Sequence, residues 1–304
     1  MIIVWRFLDG NRAHEKQSAA LVAGLEANLG ADAVQTRDIN CAGLRFWHPS
    51  DLARALDTAG VVAGEAPQLL IGAGHRCHLP MLSARRRFGG RTVVLMRPSL
   101  PLHWFDFALI PEHDRPAPLP NVLVTRGALT VPLADVQPHA GRGLILLGGP
   151  SKHFAWDNAA LARDIEVLAA APVHWNLADS RRTPEFALEQ LARPGFDVCS
   201  WRGCEAGWLE SQIASCEQVW VTRDSISMVF EALQGRAQVG ILDLPSRRPH
   251  NKVRAAVQRL IDEGVVTDNL ADAAHAGERL REPWAQYRVV ARALLRRCNI
   301  EVGR

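Results

Sequence analysis

The stretch that most limits what this chain can fold into is residues 143–157, GLILLGGPSKHFAWD. Leu144-Ile145-Leu146-Leu147 is an unbroken apolar run of the length and type of a buried strand. Gly148-Gly149-Pro150 stops it, Ser151-Lys152-His153 follows, and a helical pattern begins near Asn158. A strand that breaks into glycines ahead of a helix collects free backbone N–H groups and a positive helix end at one point, which suits phosphate. Lys152 and His153 add side-chain donors there. A plain strand-to-helix turn has the same pattern. The GxxxxGK[ST] spacing of a P-loop and the GxGxxG dinucleotide fingerprint are both absent.

The 304 residues are enough for two domains of ordinary size, each with its own core. Apolar residues make up 48% and charged residues 22%, the balance of a globular chain rather than a disordered one. A formal charge of +3 is too small to argue for nucleic acid as a partner. The six cysteines (41, 77, 199, 204, 216 and 298) form no CxxC pair and no disulfide-like framework, so reduced thiols in a cytoplasmic protein are expected. Residues 1–5 read as a first strand, not a signal sequence. No apolar run approaches the roughly 20 residues of a spanning helix, so any membrane contact would be peripheral.

Strand and helix patterns then alternate. Ile2–Trp5 reads as a strand, His14–Leu29 as a helix ended by Gly30, and Ser50–Ala59 as a helix capped by Ser50 or Asp51. Gln68–Gly72 is a strand, residues 73–78 a loop, Leu79–Phe88 a helix and Arg91–Met96 a strand. Phe107–Pro111 and Val122–Thr125 are further strands. Residues 129–142, with Pro132, Pro138 and little periodicity, read as an interdomain linker. The pattern restarts at Leu144–Leu147 and runs through helix Asn158–Ala170, strand Val173–Leu177, helix Glu185–Ala192 and strand Asp197–Trp201. Helix Trp208–Cys216, strand Gln218–Val221, helix Ser225–Gln234 and strand Gln238–Leu242 follow, and helices near Lys252–Glu263 and Glu282–Cys298 end the chain. The expected fold class is α/β, with two doubly wound Rossmann-like domains facing a cleft: residues 1–138, residues 139–280, and a last helix within 281–304 that crosses back to the first domain.

In open α/β sheets ligands bind beyond the carboxyl ends of the strands. That rule selects the loops holding Asp9, Gly10 and His14, then Gly74 and His75, then Arg97. In the second half it selects Gly148, Gly149, Ser151, Lys152 and His153, then Arg181, then Asp224, Ser225 and Ser227. His14 is the candidate general base, since an imidazole exchanges protons near neutrality; Asp9 and His75 are the next candidates. Asp224 or Ser225 is a natural helix cap, Ser225 and Ser227 bring hydroxyls to the helix start, and Glu231 lies two turns on, where a carboxylate can grip ribose hydroxyls. Arg181-Arg182 can clamp a diphosphate. His75, Cys77 and His78 stand too close for a usual zinc site, so no metal is expected. Arg85–Arg87 and Phe88, with Trp104 and Phe105, can meet an anionic bilayer or form a charged helix face over core aromatics.

DGNRAHEKQ, GAGHRCHLP, RPSLPLHWFD, PEHD, LLGGPSKHFAWD, ADSRRTP and VTRDSISMVFEAL occur in that order. This series resembles the mitochondrial-fission "elongated mitochondria" family, which in turn resembles GT-B glycosyltransferases, including the N-acetylglucosaminyltransferase that makes lipid II. The resemblance implies a nucleoside-diphosphate sugar held by the second domain, with Gly148–His153 and Ser225–Ser227 at the diphosphate and Glu231 at the ribose. It places His14 in the first-domain loop on the acceptor side; Ala13 stands where family members often have glycine. It further implies an inverting transfer without a bound metal or other cofactor, onto a cell-envelope or lipid-linked saccharide at the inner face of the cytoplasmic membrane. A nucleoside-diphosphate-sugar epimerase and a non-catalytic membrane-associated adaptor are the alternatives.

Overall fold

The computed structural model describes residues 1–42, 49–205 and 207–301. The chain divides into two compact units, Met1–Pro132 with Ala285–Arg304, and Leu133–Trp284. Each is built around one all-parallel sheet.

The sheet of the first unit has β1 (Ile2–Leu8), β2 (Val34–Asn40), β3 (Leu69–Ala73), β4 (Arg91–Leu95), β5 (Phe107–Pro111) and β6 (Val122–Thr125), in the order β2-β1-β3-β4-β5-β6. Alternation along each strand feeds two separate cores. Val4, Leu69, Ile71, Val93 and Leu95 pack on one face, and Trp5, Phe7 and Leu70 on the other. Both faces are therefore covered, which is why these strands read as continuous apolar runs. Helix α1 (Arg12–Leu29) covers the first face; α2 (Pro49–Thr58) and α3 (His75–Phe88) cover the second.

β2 carries no apolar run, and the sequence pattern marks no strand there. It lies at the sheet edge, where only Ile39 among its residues is buried. Its charges are satisfied laterally, Arg37 by Glu65 and Asp38 by Arg6. Helix α3 starts at His75, inside the stretch expected as a loop, because Gly74 takes a φ of +86° at its N-cap and turns the chain directly into it. Pro80 lies inside the helix, where it has no N–H to donate to the Arg76 carbonyl. Helix α2 starts at Pro49, so Ser50 and Asp51 lie in its first turn and its cap position lies outside the described residues.

The second unit has β7 (His139–Leu146), β8 (His174–Ala178), β9 (Asp197–Cys199), β10 (Cys216–Thr222) and β11 (Gln238–Leu242), in the order β11-β10-β7-β8-β9. Its helices are α4 (Asn158–Ala169), α5 (Ala187–Leu191), α6 (Trp208–Ser215), α7 (Ile226–Ala232) and α8 (Lys252–Asp262). The alternation recurs, with Leu144, Leu146, Val219 and Val221 in one core and Ile145, Leu147 and Trp220 in the other.

Three expectations are corrected. The passage between units falls at Pro132/Leu133, not near 138, because Leu129 and Val131 pack into the first core and Leu133 into the second. The return falls at Trp284/Ala285, since Arg281 and Trp284 still donate backbone bonds to Arg236 and Leu233. Cys199 and Cys204 are joined as a disulfide, brought together by a turn in which the Ser200 carbonyl accepts from Gly203 and Cys204; the other four cysteines are free and buried.

The last helix, α9 (Gln286–Arg297), belongs to the first unit and packs on α1. The contact is close because Gly24 has no side chain: a Cβ there would stand 2.2 Å from the Tyr287 carbonyl oxygen and 2.8 Å from the Ala291 Cβ. One turn on, the Asn28 side chain donates to the Arg288 carbonyl and accepts from Arg292. Gly24→Val is expected to push α9 off α1 and to lower stability by about 2 kcal/mol or more, read by denaturant unfolding. An unchanged midpoint would show that the two helices are not in this register.

Candidate functional site

In each sheet the chain reverses its direction of winding beside the strand that begins the unit, between β1 and β3 and between β7 and β10. The carboxyl ends of those strand pairs are the places where a doubly wound sheet leaves a crevice, and both carry concentrated polar side chains.

At the first, β1 ends in Asp9. This buried carboxylate receives the Asn11 backbone N–H on one oxygen at 2.9 Å and faces His14 Nδ1 with the other at 2.7 Å. His14 occupies the first turn of α1, which starts there because the Asn11 side chain caps it and Glu15 reaches back to the Gly10 N–H. Gly74 closes the site from the β3 side: a Cβ would sit 2.2 Å from Asp9 and 2.5 Å from His14. With Nδ1 committed to Asp9, Nε2 is the nitrogen left to exchange a proton. His75, the first residue of α3, and Arg97, just beyond β4, are exposed. His78 is buried against Phe105 and near Ser99, and burial, with the His75 charge, holds it down to about 4. It is a neutral core imidazole, not an acid–base group at neutral pH. Among the described residues no three metal-ligating side chains gather.

At the second, the carboxylate of Asp224 is wholly buried and fastens three loops. It accepts from the Gly149 N–H at 3.0 Å and the Thr222 hydroxyl at 2.8 Å, and pairs with Arg182 at 2.7 Å. Thr222 in turn accepts the Gly148 N–H at 2.7 Å. The Gly148 carbonyl accepts from Ser180, and the Gly149 carbonyl from Arg182. No side chain fits here, since a Cβ would lie 2.3 Å from Asp224 at Gly148 and 2.1 Å from the Arg182 carbonyl at Gly149.

This overturns part of the expectation. Gly148 and Gly149 do not offer free N–H groups to a phosphate; both are spent inside the protein. Asp224 is the centre of that network and not a ligand group. Ser225 stands at the N-cap of α7, but its side chain makes no cap bond. Ser227 is exposed, Ser225 buried, and Glu231 partly buried one turn on. Arg181 stacks over Trp201 at 5.6 Å, and it is Arg182 that enters the network.

The loop beyond, 151–153, is held differently. The Ser151 hydroxyl oxygen accepts the backbone N–H groups of His153 and Phe154, leaving its own proton to donate, and Lys152 is exposed. His153 Nδ1 is buried with no hydrogen-bond partner. Burial, and the charges of Lys152, Arg248 and Lys252, hold this imidazole below its ordinary value. Arg247, Arg248 and Lys252 follow β11 and were not picked out by sequence reading. Their signal was the run SRRPHNK after a strand.

The surface expected to touch a bilayer is partly consumed: Arg85 pairs with Asp106 and Phe105 is buried, while Arg86, Arg87 and Trp104 are exposed. No helix among the described residues is long and apolar enough to cross a membrane.

Two parallel doubly wound sheets with polar loops at their carboxyl edges define a GT-B type of α/β protein, and solved structures share the fold. MurG from Acinetobacter baumannii is similar over 98% of this chain and 100% of its own, at 13% identity and a TM-score of 0.50. A glycosyltransferase from Rickettsia africae is similar over 97% and 98%, at 9% identity and a TM-score of 0.51. A UDP-GlcNAc 2-epimerase from Neisseria meningitidis, solved with UDP-GlcNAc, matches over 97% and 100% at 10% identity and a TM-score of 0.47. The sequence belongs to the mitochondrial fission ELM1 family, whose model matches residues 13–298. No curated protein matches it.

Asp224→Ala would leave the buried Gly149 N–H and the Thr222 hydroxyl without their acceptor and remove the partner of the Arg182 charge. The expected cost is about 3 kcal/mol of stability, measured by chemical denaturation. A loss below about 0.5 kcal/mol would mean that this carboxylate does not hold the three loops together.

Proposed function

We propose that this protein is an inverting, metal-independent glycosyltransferase that moves a sugar from a nucleoside-diphosphate sugar to a cell-envelope or lipid-linked saccharide. The observation that carries the reading is the Asp9–His14 pair, a buried carboxylate holding one imidazole nitrogen at 2.7 Å and leaving the other to exchange a proton. That is the arrangement of an oriented general base. Shared fold with a named glycosyltransferase supports the reading at the level of fold alone.

In this reading His14 Nε2 takes the proton of the acceptor hydroxyl as its oxygen attacks the anomeric carbon. Asp9 positions the ring and stabilises the imidazolium that forms. The bond from the anomeric carbon to the diphosphate oxygen breaks, and the nucleoside diphosphate leaves with its electron pair. The second unit holds that leaving group with Ser151, Lys152, His153, Ser225 and Ser227, while Glu231 takes the ribose hydroxyls. Fixed donors aimed at developing charge lower the barrier without a metal ion. Exposed Trp104, Arg86 and Arg87 are the surface left to meet a bilayer that carries the acceptor.

His14→Ala is expected to lower transfer about a thousandfold with nucleotide affinity near that of the wild type. Asp9→Asn, which keeps the size but loses the charge, should cost about a hundredfold. Release of nucleoside diphosphate from a panel of nucleotide sugars, with envelope saccharides as acceptors, is the assay. Transfer at wild-type rate by His14→Ala would remove the base from this position. Epimerised sugar without transfer would replace the transferase with an epimerase.

A further inference from the structure

We propose that Lys152, His153, Arg247 and Arg248 form a diphosphate-binding cluster between the β7 and β11 loops. The inference rests on the nucleotide-sugar reading for its biological ligand and on separate observations for the site. First, the glycine loop's N–H groups are taken by Thr222 and Asp224, so the diphosphate must find its donors elsewhere.

Second, the two basic loops are welded into one body. The His153 carbonyl accepts from the Arg247 N–H at 2.8 Å and the Asn251 side chain at 3.2 Å. Arg247 Nε donates to the Phe154 carbonyl at 3.1 Å, and Phe154 bridges Ser246 as an antiparallel pair. The positive charges are thereby held together against their own repulsion, at a cost in stability that a bound anion would offset.

Third, the neighbouring arginines are neutralised and these are not. Arg182 is paired with Asp224, and Arg223 and Arg254 with Asp243. Among the described residues Lys152, Arg247 and Arg248 have no carboxylate partner. His153 lies beside Lys152 and Arg248, whose charges act on it, and its Nδ1 is buried with no hydrogen-bond partner. The nearby carboxylates have other employment: Asp157 caps α4, and Asp243 carries two arginines. Three cations without a carboxylate partner fit a ligand with two adjacent phosphates, because one phosphate leaves a cation unmatched.

The test is calorimetric titration with inorganic pyrophosphate, orthophosphate, UDP and GDP at fixed ionic strength. The proteins compared are the wild type, a Lys152→Gln/Arg248→Gln double variant and an Arg202→Gln control. Lys152, Arg248 and Arg202 are exposed, so folding is retained, as circular dichroism can verify. The expected result is pyrophosphate bound more tightly than orthophosphate, weakened on the order of tenfold or more in the double variant and unchanged in the control. Equal pyrophosphate affinity in wild type and double variant, or none in the wild type, would overturn the cluster. If a nucleoside diphosphate still binds both proteins alike, the donor reading stands without it. If pyrophosphate binds through the cluster and neither nucleoside diphosphate does, the cluster stands and the donor reading loses its support.

Discussion

The second unit depends on one buried charge. Asp224 sits beyond β10, at the reversal of winding, and its two oxygens take a backbone N–H from one loop, a hydroxyl from its own and a guanidinium from a third. A carboxylate with no exposure is tolerable only when its lone pairs are filled in this way. The loops at the carboxyl edge of that sheet are fixed and their glycine N–H groups are consumed, so the proposed recognition of a diphosphate falls to side chains.

The first unit solves a different problem with similar means. Asp9 is also buried at a reversal of winding, but its partner is an imidazole with a second nitrogen, so the network ends at a group able to move a proton. Gly74 keeps that pair accessible to each other by carrying no side chain, and its left-handed φ is what starts α3 at His75. Position and reactivity thus come from the same few residues.

Much of the fold was legible in the sequence because both faces of both sheets are covered. Runs such as Leu69–Ala73 and Leu144–Leu147 can be little else than buried parallel strands, and Phe107–Pro111 and Val122–Thr125 have the bounds the pattern gives. β2 was not legible, since an edge strand satisfied by ion pairs carries no apolar signature. The helix beginning at His75 was hidden by polar residues whose role depends on one backbone angle at Gly74. At the candidate site, residue types pointed to loops at the carboxyl edges of the two sheets, but the partners did not follow from them. Nothing in TRDS says that its aspartate turns inward to Gly149, or that Arg182 and not Arg181 meets it. Long-range hydrogen bonds across 33 to 75 residues are set by topology, which local pattern does not encode.

In the proposed function the second unit holds a nucleoside-diphosphate sugar without a metal ion. Titrating the purified protein with UDP, GDP, CDP, ADP and CMP in the presence of EDTA tests it most directly. The expected result is micromolar binding of one diphosphate, unaltered by His14→Ala, which would also name the donor series. Binding that returns only with magnesium would contradict the metal-free mechanism. No binding of any nucleotide by a folded sample would contradict a nucleotide-sugar site and favour a non-catalytic adaptor.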